Sequence, residues 1–335
     1  MNRFGNVLAS LALCGAFTGS AATAETVTFS SPADFYGVSS ELVGVAKYIE
    51  AIAGSFALNP AFDGDFELRV VDKGQLFGNP SENLEAVSSG AVQITYTTPQ
   101  VLESLEPAFS VVNVPGLFRD FDQFHAAMNS EPWQAVHQNL ADKGVTILGW
   151  IFNPGTLYFF SIEPLTSVDD FRGKKIRYPA GDAWRLAIEG LGAQPVPVPY
   201  TEVVTSLQTN LLDGLITNFA GGVPYFSLQD YAKYASIVPL SIQPDAIAVN
   251  TDWWLGLTDA QRDAIEKIFE VHSINPYFEA FNAGFIEDWA AQDGLEATVP
   301  DDVEAWLDRM AQATEPLLSG MDPALLQAIR DAAAE

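Results

Sequence analysis

The chain reads as an α/β protein with two lobes, and three observations predict this. Short β-rich apolar runs alternate with segments of helical periodicity, the pattern of strands and crossover helices in mostly parallel sheets. The alternation is completed twice along the sequence. No low-complexity tether separates the two cycles, so two lobes joined by strands that cross between them are expected. The length of 335 residues suits about two domains.

In the first cycle, strands are expected at Thr26 to Phe29, Phe66 to Val71 and Ala91 to Tyr96. Helices are expected around Leu42 to Ile52 and after Asn79-Pro80. Asparagine there can accept a first-turn backbone N–H, and proline lacks an N–H where none is needed. The second cycle places strands at Lys174 to Tyr178, Pro195 to Val198 and Asp213 to Thr217, with helices near Asp182 to Leu191 and Glu202 to Leu211. Val203, Val204, Leu207 and Leu211 share one helical face, as core packing requires. The last third is helical. Thr258 and Gln261 have capping-box spacing, ahead of apolar residues at Ile265, Ile268 and Phe269 in a segment that runs past Phe285. Helices at Val303 to Leu317 and Pro323 to Ala334 close the chain.

Composition narrows the function classes. At 48% hydrophobic residues the chain can build large cores, and 43 Asp+Glu against 16 Lys+Arg give a net charge of −27. Such a surface repels nucleic acid and anionic lipid, so neither is an expected partner. Arg3, the apolar run Val7 to Phe17 and Ala22-Thr23-Ala24 have the layout of a secretory signal peptide. Export with cleavage after Ala24 is therefore expected. The single cysteine, Cys14, lies inside that signal, leaving no disulfide and no thiol chemistry.

Catalytic signatures are missing. His125, His137 and His272 have no metal-ligand spacing, and Asp63-Gly64-Asp65 starts like a calcium loop without the further ligands. No Walker, G-x-S-x-G or dinucleotide fingerprint occurs, so no catalytic residue, metal or cofactor is expected. A carboxylate pair such as Glu202 with Asp213 is the enzyme alternative.

Positive charge is concentrated at one place: Arg172, Lys174, Lys175, Arg177 and Arg185 lie within 14 positions. On the expected strand, Lys175 and Arg177 share the face opposite Ile176. Arginine suits a carboxylate because its planar fork donates two parallel hydrogen bonds and keeps its charge when buried. Trp150, Phe152, Tyr158, Phe159, Phe160, Tyr178 and Trp184 surround this segment in sequence. Most serve a core, and one or two can wall an apolar pocket.

Several ordered motifs resemble the DctP-type solute-binding proteins of TRAP (tripartite ATP-independent periplasmic) transporters. They are Gly74 to Gly78, Glu85 to Ile94, Val114-Pro115-Gly116-Leu117-Phe118, and above all Val168 to Arg177, which is close to "peDlkGlKiR". The likeness continues through Leu191 to Val196, Tyr200 to Val203, Leu207 to Asn210 and Leu212-Asp213-Gly214. The resemblance implies a periplasmic-binding-protein-like fold, two α/β lobes around a ligand cleft with a long helix spanning both. Lobe I would hold residues 25–154 plus about 243–282, and lobe II 155–242 plus about 283–335.

The family's "KiR" arginine, which pairs with the substrate carboxylate, falls on Arg177, and the asparagine of "DGqeNp" falls on Asn218. Thr217 and Phe219 replace the usual Glu and Pro. Leu157 stands where some members, sialic-acid binders among them, carry a second arginine. A ligand with one carboxylate and an apolar or hydroxylated body is thus favoured. The ligand contacts expected are Arg177, Asn218, Trp184, Tyr96, Tyr158 and Phe219. The partners implied are a small organic acid and the membrane permease subunits, in the periplasm, without membrane insertion. A receptor for signalling or for another transporter class is the other alternative.

Overall fold

A computed structural model describes residues 24–30, 52, 54–62, 66–71, 75–77, 79–118, 120–152, 156–178, 180–219, 221–242, 244–272 and 278–334. The expected signal segment, nearly all of the helix at Leu42 to Ile52, and Asp63-Gly64-Asp65 lie outside the described residues.

Two sheets organise the rest. In the first, β1 (Glu25–Ser30) pairs in parallel with β2 (Phe66–Val71) and β3 (Ile94–Thr97). Next to β3 lies β10 (Pro244–Asn250), antiparallel both to it and to β4 (Val145–Phe152). Every residue of β10 is buried, and its side chains divide by strand alternation. Ala246 and Ala248 face the core that holds Leu84, Phe109, Phe124 and Trp133, while Ile247 and Val249 face the core that holds Phe29, Ile265 and Phe269. Helices α1 (Pro80–Ser88), α2 (Pro99–Leu102), α3 (Phe121–Met128) and α4 (Glu131–Ala141) contribute to the first of these cores. The Asn79 side chain accepts the Glu82 N–H at 2.9 Å, the start expected from Asn79-Pro80.

The second sheet has the order β11-β9-β5-β8-β6-β7, formed by β11 (Glu296–Thr298), β9 (Tyr234–Ser241), β5 (Leu157–Ser161), β8 (Gly214–Thr217), β6 (Lys175–Arg177) and β7 (Gln194–Val196). Leu157 and Phe159 of β5 pack on the side of α5 (Asp182–Gly190), whereas Tyr158 and Phe160 pack toward α6 (Val203–Gln208) and α7 (Gly222–Phe226). The α6 helix is shorter than the sequence suggests because Asn210 turns to φ 56 and ends the helical path.

The sheets are joined where β4 leads to β5 and β9 leads to β10. After α8 (Thr251–Gly256) comes α9 (Asp259–His272), which places Ile265, Ile268 and Phe269 in the first lobe's core. The Thr258 capping box is present, with Gln261 N–H on Thr258 Oγ1 at 3.3 Å and Thr258 N–H on Gln261 Oε1 at 2.9 Å. Helix α10 (Phe278–Ala290) ends with Phe285, Ile286 and Trp289 against the second lobe's core. Residues 273–277, where one long helix would be continuous, are outside the described residues. Helix α11 (Val303–Ser319) packs Trp306 and Met310 beside α5. Helix α12 (Pro323–Ala334) then packs Leu325, Ile329 and Ala332 with α3 and α4, so the chain returns to the first lobe at its end.

Candidate functional site

The site residues of the second lobe gather where β6 and β8 end. These strands are parallel neighbours, with Arg177 opposite Leu215, and Asn218 follows β8 directly. In open α/β sheets, ligands bind beyond such carboxyl ends. Tyr158 joins them on the antiparallel β5, opposite Thr217.

Arg177 is 5% exposed. Its Nε donates to the Val198 carbonyl at 3.4 Å, and its guanidinium carbon lies 5.9 Å from the Tyr200 ring centroid. Val198 sits between Pro197 and Pro199, and the missing proline N–H groups keep this stretch from extending β7. Burial pulls the guanidinium pKa down to about 10, opposed by Tyr200. The group thus remains a cation at neutral pH, at a desolvation cost on the order of 3 kcal/mol.

Its neighbours in the basic cluster differ. Arg172 pairs with Asp169, Lys174 with Glu163, and Arg185 with Asp182 and Glu189, while Lys175 donates to the Asn210 carbonyl at 2.5 Å. Among the described residues no carboxylate forms an ion pair with Arg177. A buried cation without an acidic partner is the arrangement that receives an anion.

Asn218, 5% exposed, is fixed by a tight turn: its Oδ1 accepts Gly221 N–H at 2.7 Å and Gly222 N–H at 3.1 Å. A Cβ at Gly222 would meet Thr217 Oγ1 at 1.8 Å, so this turn requires glycine. Asp213 uses its carboxylate on the Lys175 N–H at 2.8 Å, tying β6 to the start of β8.

The predicted aromatics separate. Trp184 is fully buried beside Trp306 and Phe159 in the second lobe's core, so it presents no surface to a ligand. Phe219 is also interior, packed on Phe160 at 4.8 Å, Tyr158 at 5.5 Å and Trp289 at 5.9 Å. Tyr158 is 4% exposed in the same cluster. Tyr96 lies on the other sheet, near the end of β3, and its hydroxyl donates to the buried Asp245. Leu157 is buried beside Phe159 in the second lobe's core.

Sequence reasoning missed three groups. Tyr200 and Tyr225 are partly exposed residues whose rings lie 4.3 Å apart, the first of them beside Arg177, and Asp245 is a buried acid in a fully buried strand. Glu103 and Gln100 form the third group, meeting Gly181 and Asp182 of the opposite lobe. Only Tyr200 carried a signal, its place after the Pro197-Val198-Pro199 run at a strand end. Among the described residues no cluster of His, Cys, Asp or Glu is arranged for a metal ion, and no helix is long and apolar enough to cross a membrane.

A two-lobed α/β fold with a buried cation at the strand ends defines a binding-protein architecture, and comparison with known proteins gives the family. The family described as bacterial extracellular solute-binding protein, family 7 (DctP) matches residues 55–318, and the chain belongs to it. The protein YiiZ of Salmonella typhimurium is 30% identical over 205 residues, 61% of this chain and 62% of the relative. The chain therefore spans about three fifths of that relative. The sialic acid-binding periplasmic protein SiaP of Vibrio cholerae is 25% identical, covering 86% of this chain and 88% of the relative. In fold, the chain is similar to a TRAP periplasmic solute-binding protein from Roseobacter denitrificans with bound β-D-glucuronate, at a TM-score of 0.80 and 20% identity, covering 91% of this chain and 99% of that one.

Proposed function

We propose that the protein is the periplasmic receptor of a TRAP transporter, capturing a small organic acid and delivering it to the membrane permease. One observation carries this reading: Arg177 is buried and charged, and no acidic side chain among the described residues pairs with it. The ligand carboxylate docks on its guanidinium, Asn218 adds a hydrogen bond, and the lobes close over the ligand. Shared contacts from both lobes favour the closed form, which is how a ligand drives closure.

The leucine at position 157 supports a ligand with a single carboxylate. Uronates bound to proteins of similar fold support a sugar acid in particular. Binding is reversible, without turnover, and the signal is removed after Ala24. The expected lobe division, residues 25–154 plus about 243–282 against 155–242 plus about 283–335, is kept as part of the proposal with one amendment: the packing of Leu325, Ile329 and Ala332 with Phe109 and Trp133 supports giving the last helix to lobe I.

A thermal-shift screen over organic acids tests the proposal. D-glucuronate, D-galacturonate and related monocarboxylates are expected to raise the melting temperature, because a ligand bound only to the folded state stabilises it by mass action. Recovery of a chemically altered acid after incubation would point to the enzyme alternative.

A further inference from the structure

We propose that Tyr200 is the positioning residue for Arg177, holding the buried guanidinium against an aromatic face instead of a counter-ion. A guanidinium that must receive an anion has two conflicting needs. It must be held in one orientation, yet an acidic side chain that held it would neutralise it and compete with the incoming ligand. An aromatic face attracts the cation through the ring quadrupole and carries no net charge.

The geometry meets both needs. The Arg177 guanidinium carbon is 5.9 Å from the Tyr200 centroid, within reach of a cation–π contact. Among the described residues the long Nε contact to the Val198 carbonyl, at 3.4 Å, is the other hold on the guanidinium. Tyr200 is itself backed by Phe226 at 4.5 Å and Tyr225 at 4.3 Å, and Phe226 is fully buried. The result is a run of tilted ring contacts from the second lobe's core through Tyr200 to the cation.

The inference rests on Arg177 being the carboxylate-binding group, but its test does not need the ligand. In ligand-free protein with 15N-labelled arginine, the Arg177 Nε–H resonance, assigned by its loss in Arg177→Lys, is expected to be displaced by the ring current. The displacement should persist in Tyr200→Phe, which keeps the ring and loses only the hydroxyl, and vanish in Tyr200→Leu. An undisplaced Nε–H in the native protein overturns the proposal even if Tyr200→Leu fails to fold, as does an unchanged resonance in folded Tyr200→Leu.

Calorimetry with D-glucuronate then separates the two ideas. Tyr200→Phe should bind within a few-fold of native, Tyr200→Leu about 3- to 30-fold more weakly, and Tyr200→Glu more weakly still because it supplies the competing carboxylate. Arg177→Ala binding as tightly as native would remove the carboxylate-binding role and leave the resonance result standing by itself.

Discussion

The backbone N–H of Asp182, at the start of α5 in the second lobe, donates to the Glu103 carboxylate of the first lobe at 3.4 Å. Gly181, the N-cap of that helix, offers no side-chain cap, so the side chain that accepts this first-turn N–H comes from the other lobe. Glu103 Oε2 is buried without a hydrogen-bond partner among the described residues, and burial, together with nearby Asp182, raises the carboxyl pKa above its usual range. Since the fold disfavours the ionised form, that penalty is present above the raised pKa and disappears as pH falls below the usual carboxylate range. Glu103→Gln, which retains an acceptor for Asp182, should match or exceed native stability at pH 7 and lose its advantage near pH 4. Glu103→Ala should cost roughly 1 kcal/mol. Melting temperatures across that pH range check both expectations.

Gly181 permits this contact. Its φ is +88°, and a Cβ there would lie 2.7 Å from Glu103 Oε2. Gly181→Ala is expected to destabilise by about 1–3 kcal/mol, through backbone strain and displacement of Glu103. Combining it with Glu103→Ala should recover the part caused by displacement, which denaturant titration of the single and double variants would reveal.

His137 sets an acid limit. Its ring stacks on Phe109 at 6.2 Å and lies 6.1 Å from Trp150, its Nε2 is buried without a partner among the described residues, and burial lowers its pKa to about 4. The unfolded chain takes up this proton near pH 6.5, so stability contributed by the neutral imidazole falls as pH drops from about 6.5 toward 4. His137→Phe should therefore be more stable than native at pH 4, by on the order of 2 kcal/mol, with a smaller difference at pH 7. Equal acid sensitivity of the two proteins would contradict this.

Asn218 separates turn from ligand. In Asn218→Asp a carboxylate oxygen can still accept the Gly221 and Gly222 N–H groups, so the melting temperature should change little. A second negative charge beside the ends of β6 and β8 should nonetheless weaken acid binding tenfold or more. Calorimetry paired with thermal melting distinguishes this from simple damage to the turn.

Alkali should release the ligand. Because the Arg177 guanidinium in the free protein has its pKa lowered to about 10, affinity for a carboxylate should fall about tenfold per pH unit above that point. Below it, the affinity should be flat until the ligand's own carboxylate protonates. Binding that persists undiminished at pH 11 would show that the guanidinium keeps its proton there.

The layers of the fold were legible because alternation has a definite period: Tyr158 and Phe160 face one core and Leu157 and Phe159 the other, as strand geometry requires. Arg177 was legible as the arginine of a cationic cluster in an acidic chain. Its isolation was not, because partners such as Glu163 for Lys174 and Asn210 for Lys175 are set by tertiary contacts. The aromatics show the same limit. Trp184 is the nearer of the two to Arg177 in sequence and Tyr200 the farther, yet Trp184 packs into the core and Tyr200 lies under the cation. Likewise, the apolar face of Leu325, Ile329 and Ala332 announces a packed helix without saying which lobe it meets.

The most direct test of the central claim is calorimetry of the native protein and Arg177→Ala with the strongest acid from the melting screen and with its neutral amide. The account predicts tight binding of the acid by the native protein, a loss of tens to thousands of fold in Arg177→Ala, and weak binding of the amide by both. Equal affinity of Arg177→Ala and the native protein for the acid would contradict it.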